Sequence, residues 1–102
     1  MARKAPTPVP ARALTLEGDL DVFSIQQQWE KAQPLLTTAN GKAELDLSSV
    51  GDLDLSGLQL LWALDRDLRS RGVLFTVVGA KEEWQARFAP LGLAHLFGSG
   101  TP

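Results

Sequence analysis

The chain has 102 residues, 44% of them hydrophobic and 22% charged, which suits one domain with a single core and leaves no room for a second. Its formal net charge is −2 and it has no cysteine, which excludes a basic field for nucleic acid, a disulfide framework, a thiolate metal site and a thiol nucleophile. No apolar run approaches the ~20 residues of a membrane span and the first residues lack an apolar leader core, so no direct membrane insertion is expected and the compartment is the cytoplasm.

Residues 1–11, with Pro6, Pro8 and Pro10 at alternate positions, read as a disordered, extended tail able at most to add an edge strand. Arg12 to Gly18 alternates and stops at glycine, which predicts a strand with Leu14 and Leu16 facing the core and Asp19 and Asp21 in the turn beyond. Val22, Ile25, Trp29, Ala32 and Leu36 then recur at intervals of three or four, the pattern of a helix with one buried stripe and Gln26, Gln27, Glu30 and Lys31 outside. Asp21 or Ser24 caps that helix, and Pro34 stops or kinks it near Lys31 to Gln33. Asn40-Gly41 turns the chain into a second strand, Ala43 to Leu47, with Leu45 and Leu47 inward.

From Asp46 to Asp54 the sequence reads as an acidic turn, followed by a helix from Ser56 to Ser70 with Leu58, Leu61, Leu64 and Leu68 as its buried stripe. Arg69 and Arg71 in the last turn and Gly72 beyond complete its C-terminal signal. Val73 to Val78 is nearly all apolar, as for a strand covered on both faces, and Gly79 closes it. Lys81 to Ala89 forms a third helix with Trp84 and Phe88 four apart, Leu91 to Phe97 is a short last segment, and residues 99–102 are a flexible C-terminus. Strands alternating with helices define an α/β domain: βαβ units forming a mostly parallel sheet of four to five strands, with helices packed against it. Asp19, Asp21, Asp52, Asp54 and Ser56 then fall in loops at the carboxyl ends of the strands, where ligands usually gather.

Four stretches carry a family resemblance: Leu16-Glu17-Gly18-Asp19-Leu20-Asp21, Leu45-Asp46-Leu47-Ser48-Ser49-Val50, Asp54-Leu55-Ser56-Gly57-Leu58, and Leu91-Gly92-Leu93 to Leu96-Phe97. In this order and spacing the chain resembles the STAS domain of bacterial anti-sigma factor antagonists over roughly residues 12–98. The resemblance implies the STAS fold and a small cytoplasmic regulator of signalling and transcription that has no catalytic activity and no cofactor. It would work by binding a histidine-kinase-like serine kinase or an anti-sigma factor. Switching members are released when a serine or threonine directly after the Asp of an Asp-(Ser/Thr)-(Ser/Thr/Ala)-Gly motif is phosphorylated, which adds about −1.5 to −2 charges to the interface. That position here is Leu55, which has no hydroxyl, so the resemblance implies constitutive binding, or control by expression or by the partner's state. Ser56 keeps a hydroxyl one residue later, turned about a third of a turn away.

Related STAS proteins are small cytoplasmic subunits of ABC-type lipid-transport complexes, binding the nucleotide-binding subunit, and others accompany chemotaxis or two-component systems. The residues leave open among these, and also a weak homodimer. A different class is a phosphoryl-accepting or Mg²⁺-binding signalling protein that uses the loop aspartates, although the lysine such a receiver needs at the end of a late strand is missing from Val78-Gly79-Ala80.

The candidate partner-binding residues are Asp21, Phe23, Asp54, Leu55, Ser56, Gln59, Trp62 and Arg66. Asp54 is either the N-cap of the second helix or the acidic neighbour of a phosphosite, and Ser56 either a phosphoacceptor or a plain first-turn serine. Trp62 shares a helix face with Gln59, Arg66 and Arg69 rather than with the leucines, which marks it as an anchor or as a cover for the core edge. Phe23 lies off the first helix's stripe, where it extends that patch or packs inward. Trp29 and Trp84 read as core, and His95 has no nucleophile to serve as a base. No metal-ligand or phosphate-loop spacing occurs.

Overall fold

The computed structural model describes residues 11–38 and 41–92. Residues 1–10 of the expected tail, Asn40 of the predicted turn, the end of the last segment with His95, and residues 99–102 lie outside the described residues, whereas Ala11, placed in the tail by the sequence, opens the first strand and pairs with Lys42. In chain order the elements are β1 (Ala11–Leu20), α1 (Ile25–Ala32), a 3₁₀ turn (Gln33–Thr37), β2 (Lys42–Leu53), α2 (Leu55–Ser70), β3 (Leu74–Val78), α3 (Glu82–Phe88) and a second 3₁₀ turn (Ala89–Leu91). The described strands form one parallel sheet in the order β1-β2-β3.

Register decides which side is core. Leu14 pairs with Leu45 and Leu45 with Val77, and Ala43 pairs with Phe75, so these side chains share one face, and helices pack on it. Leu58, Leu61, Leu64 and Leu68 of α2 and Trp84 and Phe88 of α3 belong to that same core, as do Ala32 and Leu35. The intervening rows, Ala13-Glu44-Thr76 and Thr15-Asp46-Val78, point to the opposite face.

Three expectations need correction. β1 does not stop at Gly18 but continues to Leu20: Gly18 takes φ +85°, and the register shifts before and after it, each with one extra residue on β2, make this end of the strand pair irregular. Gln28 of α1, only 3% exposed, donates its Nε2 to Glu17 O at 2.7 Å and Asp19 O at 2.9 Å, satisfying the carbonyls on either side of that glycine. The acidic turn is likewise largely strand, because β2 runs on through Ser48 to Leu53 and its buried residues change spacing from two, at Ala43, Leu45 and Leu47, to three, at Val50 and Leu53. That change comes from the two register shifts, at each of which β2 takes one residue more than β1 before the pairing resumes, the last pair being Leu20 with Leu53.

The third correction is β3. Its apolar run conceals an ordinary alternation in which Phe75 and Val77 are buried while Leu74 and Val78 are exposed, so it is covered on one face and not on two. Pro34 acts as expected: α1 ends at Ala32 and the chain tightens into a 3₁₀ turn with the proline in its first positions. Arg71 fastens that turn by donating Nη1 to Leu36 O at 2.6 Å.

Candidate protein-binding face

The two adjacent strand ends build the site. Leu20 pairs with Leu53, so the residues that follow, Asp21 and Asp54, leave the sheet side by side, and Asp54 N donates to Leu20 O at 3.1 Å. Asp54 then caps α2: its Oδ1 accepts from Ser56 N at 2.8 Å and Gly57 N at 3.2 Å. Its other oxygen accepts from Val22 N at 3.2 Å, in the turn after β1. Asp21 shapes that turn from its own side, Oδ1 accepting from Phe23 N at 3.1 Å and Ser24 N at 3.0 Å.

Asp21 therefore holds a turn, and Ser24, at the N-cap position of α1, makes no side-chain cap. α1 begins at Ile25, later than the apolar spacing suggested, and this expels Val22 from the expected buried stripe. Gln28 occupies the buried position in its place, and Trp29 is only partly buried against the core. Trp84, by contrast, is fully buried as expected.

Of the candidate residues, Phe23 is 93% exposed, which removes the core-packing alternative, and Leu55 is 55% exposed at the first position of α2. Trp62 is 44% exposed, and the guanidinium of Arg66 lies 5.2 Å from the centre of its ring, a cation–π stack on the solvent side of the helix. Leu55, Leu58, Gln59 and Trp62 line an apolar depression of about 330 Å³. Across Gln59 a second groove of about 420 Å³ is lined by Ile25, Gln26, Trp29, Ser56, Gln59, Leu60 and Ala63. Ser56 thus faces the groove between α1 and α2, while Leu55 borders the depression on the other side.

The charges along α2 are mostly spoken for. Arg69 pairs with Asp65 at 3.1 Å and Arg71 with Asp67 at 3.2 Å, each one turn back, whereas Arg66 has Trp62 at that spacing. Beyond the end of β2, Lys81 donates Nζ to Gly51 O at 2.8 Å and Arg87 donates Nη1 to Leu53 O at 3.0 Å, so α3 clamps the strand end from which the face grows. The role of these two cations, like that of Gln28, was missed in the sequence; only their place in or beside a short amphipathic helix was legible there. Among the described residues no group of three or more His, Cys, Asp or Glu side chains is placed to hold a metal ion, and no helix is long and apolar enough to cross a membrane.

Parallel strands under helices, with a turn and a capped helix start exposing Phe23, Leu55 and Trp62, define an α/β domain with an apolar face at the carboxyl ends of its first two strands. The family model described as "Mlab, STAS domain" matches residues 7–98, and the chain belongs to this STAS domain family. Its fold is similar to the STAS domain of a SulP transporter from Vibrio cholerae, with TM-score 0.64 and 20% identity over 92% of this chain and 73% of that one. It is also similar to a sulfate transporter family protein from Wolinella succinogenes, with TM-score 0.69 and 15% identity over 93% of this chain and 78% of that one. No curated protein sequence matches the chain.

Proposed function

We propose that the protein is a non-enzymatic interaction module of the cytoplasm that holds a protein partner constitutively through Phe23, Leu55, Gln59, Trp62 and Arg66. The observation that carries this reading is the exposure of Leu55 at the first helical position after the capping Asp54, where switching relatives keep a modifiable hydroxyl. An exposed tryptophan stacked under an arginine is a pairing of the residue types enriched at interface hot spots. Asp21 and Asp54 shape that surface, since their carboxylates fix the turn and the helix start, while Ser56 lines the neighbouring groove.

Two partner classes fit. Resemblance to anti-sigma factor antagonists points to an anti-sigma factor or serine kinase. The description of the matching family and the transporter names of both similar structures favour the second class, a cytoplasmic subunit of a transport complex such as an ABC lipid transporter. Purification of the tagged protein from its host, followed by mass spectrometry of the associated chains, separates the two. With the partner in hand, Trp62→Ala is expected to weaken association by at least about tenfold, as for an interface hot spot, with little change in melting temperature. Unchanged affinity with a folded variant overturns the proposed face.

A further inference from the structure

We infer that Asp54 is a positioning residue that joins the β1–α1 turn to the start of α2, so that Phe23 and Leu55 form one recognition surface; this rests on the binding face proposed above. Capping a helix needs one acceptor, and Oδ1 alone serves both Ser56 N and Gly57 N. Oδ2 is left for Val22 N, 32 residues away in sequence. That amide is the one in the turn that Asp21 leaves unserved, because Asp21 Oδ1 takes Phe23 N and Ser24 N.

Little apolar surface is buried at the tip of this turn. Val22 is 59% exposed and Phe23 almost wholly so, and hydrophobic packing positions only what it buries. The tip is therefore located by polar bonds, and the bond that ties it to α2 is Val22 N to Asp54 Oδ2. Because Phe23 follows Val22 and Leu55 follows Asp54, that bond draws together the two separate segments that carry these exposed apolar residues. Of the good N-cap residues, aspartate alone has two acceptor oxygens. Serine has a single short acceptor, and asparagine sets an N–H₂ donor where Oδ2 stood.

The test compares Asp54→Ser, Asp54→Asn and Asp54→Ala in the full chain by amide hydrogen exchange and ¹⁵N relaxation. In the serine and asparagine variants Ser56 and Gly57 are expected to stay protected, while Val22 N exchanges at least about tenfold faster and the Phe23 backbone loses order. In the alanine variant all three amides that donate to Asp54, those of Val22, Ser56 and Gly57, are expected to lose protection. Val22→Pro, which deletes the donor and leaves Asp54 intact, should release Phe23 without disturbing Ser56 or Gly57. Unchanged Val22 and Phe23 in the serine and asparagine variants overturns the inference, and so does equal loss at the turn and the helix start in every variant. These readouts need no partner, so a failed latch and a failed binding face are told apart: the first shows in the Val22 amide, the second in the affinity of Trp62→Ala.

Discussion

Asp46 accepts the backbone N–H of Ser48 at 2.8 Å, and that bond, reinforced by the Ser48 hydroxyl, holds its carboxyl below the ordinary aspartate range. A carboxyl whose pKa is depressed on folding stabilises the fold above its unfolded value, and the contribution is lost as the pH falls through the folded one. Asp46→Asn is therefore expected to lose less stability than the wild type on acidification below about pH 4, read as a smaller fall in the urea midpoint. Equal falls would show that Asp46 carries none of the acid sensitivity. At this scale the sequence was most legible where one residue type has one use: Asp54 as a cap, Leu55 as a position without a hydroxyl, Trp62 as an aromatic off the leucine stripe. Gln28 was illegible because its partners are backbone carbonyls of β1, exposed by a bulge that only the folded register creates, although a glutamine at stripe spacing from Ile25 and Ala32 was a usable signal.

At the level of elements, α2 shows how closely a helix can be set down on strand ends. A Cβ on Gly57 would run into Leu20 O, and would lie 2.7 Å from Leu20 Cβ and 2.9 Å from Leu53 Cδ1. Alanine gains up to about 1 kcal/mol of helix propensity over glycine, but overpacking a rigid site costs about 1–3 kcal/mol. Gly57→Ala is thus expected to lower the urea midpoint, and a variant as stable as the wild type would show that the first turn of α2 can lift away. The helix was readable because its stripe, cap and C-terminal arginines all agree. β2 was not, since alternation is the signal for a strand and here it breaks after Leu47, where three-residue spacing and acidic residues imitate a turn. β3 misled in the opposite direction: leucine and valine at its outward positions hid the alternation that its burial reveals.

For the whole molecule, alternating strands and helices were enough to give an α/β domain with parallel pairing, and the structure of the described residues has that form. The position of the turn was not readable, because it depends on a hydrogen bond spanning 32 residues. Constitutive binding predicts that protein purified from its host has the intact mass of the unmodified chain. A fraction with one added phosphate, mapped to Ser56, would contradict that expectation. The ladder between β1 and β2 stays paired to Leu20 and Leu53, so the turn that carries Phe23 and the helix start that carries Leu55 both spring from the last rung of the sheet. If the proposed face is the docking surface, opening of the first strand displaces its Phe23 part, and a mate bound there would oppose that opening by mass action, by roughly 2.7 kcal/mol when its free concentration is a hundredfold above its dissociation constant. An orphaned copy would be the one that frays and is cleared by proteases, so cellular supply of the module would come to match that of its mate.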